Sequence, residues 1–187
     1  MKEIKLHLGC FDRKIYGYIN IDVRQDVKPD VVDDVFELSK FEKESIDVIY
    51  VCHVLEHATR EASKKALTRW NELLKPNGVL RVAVPDLAAI FEYYNETKDL
   101  KAISHLLYGS QRHPYDLHYT GWDEETLTKD LLEAGFSSSK RYAWQETEHF
   151  YVDDYSQCYL PKISYSSRRA GTKIEGKLVS LNMEAVK

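Results

Sequence analysis

Short apolar runs, each closed by a glycine or an aspartate, recur through the N-terminal half of the chain and give way to helical spacing. Residues 4–8, 18–23 and 30–33 are such runs, and "SIDVIYVCHVLEH" (45–57) opens with a fourth, rich in Ile, Val and Tyr. Runs this short predict strands, and runs with so little polar alternation predict strands covered on both faces. Ala62, Ala66, Leu67, Trp70, Leu73 and Leu74 then recur at helical spacing, so a helix follows the fourth strand. "KPNG" (75–78) stops that helix, and "VLRVAVP" (79–85) is another buried strand. Residues 87–95 and 99–108 read as helices, the first carrying Phe91, Tyr93 and Tyr94. "GWDEETLTKDLLEAGF" (121–136) predicts a capped helix. Asp123 is its N-cap, Glu124 and Glu125 suit the positive end of the dipole, and Gly135 is its stop. Beyond it, "SKRYAWQ" (139–145) and "KLVSLNMEAV" (177–186) predict two strands. They are joined by roughly thirty residues with many Tyr and Ser, longer than most connections.

Strands alternating with helices predict an α/β fold, a doubly wound and mostly parallel sheet of about seven strands with an antiparallel C-terminal edge strand. No linker or internal repeat divides residues 1–187, which form one domain, and residues 146–176 form an insertion, or lid, before the last strand. Only about eight residues separate the first two strands, whereas a parallel crossover normally takes a dozen or more. The helix after strand 1 is therefore expected to be shortened or absent.

Composition narrows the partners. A formal net charge of −4 and scattered basic residues argue against nucleic acid, and the one basic pair, Arg168–Arg169, falls in a Ser/Gly-rich stretch. Cys10, Cys52 and Cys158 form no C-x-x-C pair, which argues against zinc and against a redox dithiol. With no apolar run of about 18 residues and no signal-peptide core in "MKEIKLHLG", no membrane partner is expected and the cytoplasm is the default location.

In open sheets of this kind, ligands bind outside the carboxyl ends of the strands, near the point where strand order reverses. Those ends carry Gly9 and Cys10, then Asp22, Asp33–Asp34, His53 and Asp86. Each alone reads as a turn residue; together they favour a binding edge. A G-x-G-x-x-G dinucleotide turn is missing, and no G-K-[ST] exists for a P-loop. What survives is a site with one acid, Asp22, for ribose hydroxyls and another, Asp34, near a base. An acidic edge is a poor pyrophosphate cradle, but it tolerates a positively charged sulfonium nucleoside.

The order "LHLGC … YINIDV … DVVDDVFEL … SIDVIYVCHVLEH … LLKPNGVLRVAVPD … LLEAGF" resembles the class I S-adenosylmethionine-dependent methyltransferases, over roughly residues 4–145. More narrowly, it resembles a small bacterial and phage branch associated with sugars and polysaccharides. The resemblance implies a Rossmann-like fold with S-adenosyl-L-methionine as cofactor. It implies that the backbone at Gly9 and Cys10 approaches the methionine portion. Asp22, with Val23 beside it, would take the ribose hydroxyls, and Asp34 the adenine amino group. Val35 would pack on the base or offer its amide, and His53 would lie near the transferred methyl. The family's turn usually reads G-C-G, whereas Phe11 and Asp12 follow Cys10 here. With the helix after that turn reduced, Arg13 or Lys14 is the candidate counter-charge for the cofactor carboxylate.

A hydroxyl or amine acceptor needs a base. "SQRHPYDLHYTGWD" (110–123) is rich in titratable and aromatic side chains, and His118 matches a histidine that faces the active-site opening in the resembling branch. Asp86 is the competing base, or else the cap of the helix beginning at Leu87. His57 faces the site or packs at a helix start. His113, Asp116 and His118 carry ligand atoms in one loop but match no metal pattern, so no metal site is assigned. The insertion's aromatics, with Asp153, Asp154 and Gln157, are a surface of the kind that holds sugar rings. These features favour a methyltransferase acting on a small molecule, with a sugar or glycan hydroxyl as the leading acceptor. The alternatives are a non-catalytic methyltransferase-like binding or assembly protein, and a protein or nucleic-acid methyltransferase. A homo-oligomer is compatible with the sequence.

Overall fold

A computed structural model describes residues 3–161 and 176–187. Its strands are β1 (Lys5–Leu8), β2 (Ile19–Asp22), β3 (Val31–Val32), β4 (Ile46–Cys52), β5 (Leu74–Pro85), β6 (Ser138–Arg141), β7 (Tyr159–Leu160), β8 (Lys177–Leu178) and β9 (Ser180–Val186). Its helices are α1 (Arg60–Leu73), α2 (Leu87–Thr97), α3 (Leu100–Tyr108) and α4 (Glu124–Glu133). The main sheet has the order β3-β2-β1-β4-β5-β9-β6, and β7 pairs with β8 in a separate ladder. The strands from β1 to β5 pair in parallel, and β9 runs antiparallel between β5 and β6. The antiparallel C-terminal strand thus lies at the expected side of the sheet, one place in, with β6 outermost.

Period-two alternation divides the strand residues between two faces. On one, Leu6, Leu8, Ile49, Val51, Leu80 and Val82 pack against Leu67 and Trp70 of α1 and Leu127 and Leu131 of α4. Trp70 is fully buried, and its indole N–H donates to the Val35 carbonyl at 2.9 Å, which ties α1 to the end of β3. Helix α4 begins at the expected cap: Asp123 accepts from the Thr126 amide, and Thr126 returns a bond in a capping box. Gly135 follows it with φ +99, the left-handed stop that glycine adopts at little cost.

The other face carries His7, Asn20 and Tyr50, which are neighbours across β1, β2 and β4. Residues 9–18 contain no helix, as the short connection predicts. A right-handed crossover from β1 to β2 runs opposite in sense to the one from β4 to β5, so its helix would cover the face away from α1. That face is covered instead by part of the insertion. Val152 packs with Ile15, Tyr18 and Tyr50, and the His149 ring lies 4.0 Å from that of Tyr50. The Tyr50 hydroxyl donates to Asp154 at 2.6 Å, and Glu148 accepts from Tyr18 and Arg81 at 2.6 and 2.7 Å. The described part of the insertion is thus a wall of the domain, and only Asp154 and Tyr155 of it reach the cavity at the strand ends. The Arg168–Arg169 pair and the rest of the predicted lid (162–175) lie outside the described residues.

Candidate functional site

The chain leaves β1 through a turn that demands a glycine. Gly9 has φ +65, and a Cβ there would sit 2.4 Å from Val54 Cγ2, inside any allowed contact. Phe11 also adopts positive φ, at +46, where a side chain costs roughly 1–2 kcal/mol. Two contacts hold it there. Its backbone N–H donates to Asp22 Oδ2 at 2.9 Å, and the Arg24 guanidinium lies 5.3 Å from its ring centroid. The second Asp22 oxygen accepts from the Arg24 amide at 2.9 Å. Asp22 therefore clamps together the ends of β1 and β2 while nearly buried.

Beside this turn, where strand order reverses between β1 and β4, lies a cavity of about 640 Å³. This is the expected ligand crevice of a doubly wound sheet, and its size suits a nucleoside-sized ligand. Gly9, Cys10 and His53 line it, as expected. Asp22 lies under the turn rather than in the wall, and Val23 is exposed. Asp34 is exposed further along the same edge, with Oδ1 accepting from the Phe36 amide at 2.8 Å. For Val35, packing on a base is corrected, since its side chain belongs to the main core and its carbonyl serves Trp70; the other expectation, that it offers its amide, is untouched by these contacts. Of the two candidate counter-charges, Lys14 pairs with Asp30 at 2.8 Å, and Arg13, its Nε 3.9 Å from Asp12, lines the cavity together with Arg24 and Arg112.

A second cavity of about 60 Å³ adjoins the first, lined by His53, His57, His105, Asp116, His118 and Tyr155. His118 Nδ1 lies 2.9 Å from the Leu106 carbonyl and His57 Nδ1 lies 3.0 Å from the Leu117 carbonyl. In each ring the carbonyl claims the Nδ1 proton and leaves Nε2 unprotonated. Between the histidines sits Glu56, fully buried, with neither carboxylate oxygen hydrogen-bonded among the described residues. Its Oε1 lies 3.3 Å from His53 Nδ1 and 4.0 Å from His118 Nε2. Burial pushes the Glu56 carboxyl up to about 8, and burial with the neighbouring His57 ring pushes His118 down to about 4. Burial also lowers His57, and it lowers His53 further.

His57 and His118 are thus brought together, with ring centroids 4.9 Å apart, and His113 lines the larger cavity. Asp86 is not with them. One of its oxygens accepts from the Ala89 amide at 3.2 Å as the cap of α2, and the other pairs with Arg141 at 3.0 Å. Both oxygens are committed to structure, and Asp86 lines neither cavity, so the expectation of a base there is corrected to the cap. Glu56 was not anticipated. The only local signal for it is an acid within His-x-x-Glu-His at the end of a buried strand.

A family model described as a methyltransferase domain matches residues 18–82. No curated protein matches the sequence. Among solved structures, the chain is similar to an S-adenosylmethionine-dependent methyltransferase from Archaeoglobus fulgidus, with 17% identity, a TM-score of 0.59, and 99% of this chain and 86% of that one covered. It is similar to a Thermotoga maritima S-adenosylmethionine-dependent methyltransferase, with 14% identity, a TM-score of 0.61, and coverage of 100% and 83%. A third is the Burkholderia thailandensis 1,6-didemethyltoxoflavin-N1-methyltransferase, solved with 1,6-didemethyltoxoflavin and S-adenosylhomocysteine, with 16% identity, a TM-score of 0.52, and coverage of 98% and 70%. Residues 18–82 thus match a methyltransferase domain, and the fold is the one shared by these solved S-adenosylmethionine-dependent methyltransferases. The lining fits such a cofactor: Phe11 and Tyr155 would give aromatic walls, and Arg13, Arg24 and Arg112 would give cations for a carboxylate. Among the described residues, no helix is long and apolar enough to cross a membrane.

Proposed function

We propose that this chain methylates a hydroxyl of a small polar acceptor, with a sugar or glycan as the favoured class. The observation that carries this reading is the continuity of the two cavities, since His53, Ser110, Asp116 and Tyr155 line both. A cofactor in the larger space and an acceptor at the histidine cluster would then meet across His53. When bound, S-adenosylmethionine supplies an activated methyl group on a sulfonium. The protein's task is to hold an acceptor oxygen at near-attack distance and to remove its proton.

The residues divide that task. Gly9 and Cys10 let the backbone approach the methionine portion, Arg13 faces its carboxylate, and Asp22 keeps the turn in shape beneath the ribose. His118 is neutral at pH 7, and its Nε2 lone pair is the base for the acceptor proton. The mixture of Arg24, Arg112, Asp116 and Tyr155 around the opening suits a ring with several hydroxyls. The Burkholderia neighbour, which holds a small molecule beside S-adenosylhomocysteine, supports the small-molecule class.

Calorimetric titration of the full chain with S-adenosylmethionine and S-adenosylhomocysteine tests the reading, followed by transfer of labelled methyl to a panel of sugars. Micromolar binding and labelled sugar are expected. No binding at millimolar cofactor would leave only the non-catalytic reading.

A further inference from the structure

We propose that Glu56, His57 and His118 form a binding site for one divalent transition-metal ion, next to the acceptor pocket. One ligand atom from each of the three residues lies within 4.8 Å of the others. A tetrahedral zinc with nitrogen and oxygen ligands brings donor atoms to roughly 3.3 Å from one another, so small side-chain rotations close the set. Two imidazoles and one carboxylate, with a position left open, are the donor set of catalytic zinc sites and of similar borderline metals.

The surroundings point to a cation independently of that spacing. Both imidazoles are pinned through Nδ1 to backbone carbonyls, those of Leu117 and Leu106. Such outer contacts fix the tautomer and orientation of metal-binding histidines. Glu56 is fully buried, with no hydrogen-bond partner among the described residues for either oxygen. Its nearest ring nitrogen offers no N–H. Ser180 Oγ donates to Asn182 Oδ1 at 2.9 Å and so accepts from His53 Nε2 at 3.1 Å, which leaves His53 Nδ1 as a lone pair facing Glu56. Glu56 Oε1, His53 Nδ1 and His118 Nε2 thus converge, and a single proton on Glu56 is the most they share as a donor. Leaving such groups unsatisfied in a buried space is costly. A proton on Glu56 satisfies one contact, whereas a metal ion takes several lone pairs at once. The 60 Å³ cavity against His57 and His118 leaves room for an oxygen in the open position.

The site's role, though not its existence, rests on the methyl-transfer reading. An acceptor hydroxyl oxygen bound to the ion becomes a stronger acid. With the ion and S-adenosylmethionine bound, His53 Nδ1 would take its proton, its oxygen lone pair would form the bond to the methyl carbon, and the carbon–sulfur bond would break to leave a neutral thioether. With the ion bound, His118 Nε2 would be a ligand and His53 would replace it as the base; without the ion, His118 keeps that role.

The test is titration of the full chain, stripped with a chelator, with Zn²⁺ against a competing chromophoric chelator, and separately with S-adenosylmethionine. One equivalent of zinc is expected. Glu56→Gln and His118→Ala should each weaken binding at least about tenfold, while Glu61→Gln, an exposed carboxylate on α1, should not. Co²⁺ in the unaltered chain should give the intense visible bands of a tetrahedral site, a readout that needs no variant to fold. Absence of zinc binding and of cobalt bands overturns the proposal, as does unchanged affinity in both variants. Metal binding without cofactor binding sinks the methyl-transfer reading and leaves the site standing. Cofactor binding without metal binding does the reverse.

Discussion

Asp22 Oδ2 accepts a hydrogen bond of 2.9 Å from the backbone N–H of Phe11, so the acid that ends β2 holds the shape of the turn that ends β1. In the resembling family, that shape comes from glycines. Here a carboxylate holds a phenylalanine in a conformation that glycine would adopt freely.

Asp22→Ala removes the acceptor for both the Phe11 and the Arg24 amides. Urea unfolding should show a loss of about 1–3 kcal/mol for the stranded donors. Titration with S-adenosylmethionine should show at least a tenfold loss of affinity. Full stability together with full affinity would mean that the turn needs no clamp.

Gly9→Ala meets two obstacles, the positive φ and the 2.4 Å approach of Val54 Cγ2. Adding Val54→Ala relieves only the second. Thermal melts should therefore show the double variant less stable than Val54→Ala alone, because about 1–2 kcal/mol of backbone strain remains, but by less than Gly9→Ala falls below the native chain. A double variant as stable as Val54→Ala alone would remove backbone strain from the account.

Stability should peak near neutral pH. Six histidines have lowered values in the fold: His7, His53, His57, His105, His118 and His149. Below about 6.5 the unfolded chain binds more protons than the folded one, so stability falls as pH falls from 6.5 toward about 4. Burial would raise the Glu148 carboxyl, but the Tyr18 hydroxyl and Arg81 outweigh it and hold it at about 2, adding a further loss below about 4.5. Glu56 has the opposite sign. Raised to about 8, it contributes stability that is full below the unfolded value near 4.5 and is lost as pH rises through 8. From 6.5 to 8 it is the dominant slope, up to about 1.4 kcal/mol per pH unit. Urea unfolding across pH in a metal-free buffer should show this alkaline decline, and Glu56→Gln should flatten it.

Asp86→Ala should lower stability by about 1 kcal/mol or somewhat more through loss of the α2 cap and the Arg141 pair. Methyl transfer per folded molecule should stay near the native rate. A loss of rate of a hundredfold or more in the folded variant would restore Asp86 as a base.

Much of the architecture was legible because it depends on local pattern. The buried runs became parallel strands, Asp123 and Gly135 bounded α4, and the short link between β1 and β2 correctly implied a missing helix. Tertiary pairing was less visible. Val35 follows Asp33–Asp34 just past β3, and only the fold shows that Trp70 claims its carbonyl. Glu56 lies two residues before Ala58 in an apolar setting, and its meaning depends on His118 from a distant loop. The insertion's length suggested a lid over the strand ends, and the contacts of its described part with Tyr18, Tyr50 and Arg81 cover a sheet face.

That cover sets an order of events during synthesis. Tyr50 and its partner Asp154 are 104 residues apart. At roughly 5–20 residues per second, a nascent chain displays one side of its first strands uncovered for about 5–20 s before the cover is made. This face therefore closes late, once Glu148, Val152 and Asp154 are made, and a fragment that stops before them carries the whole binding turn without the wall that supports it.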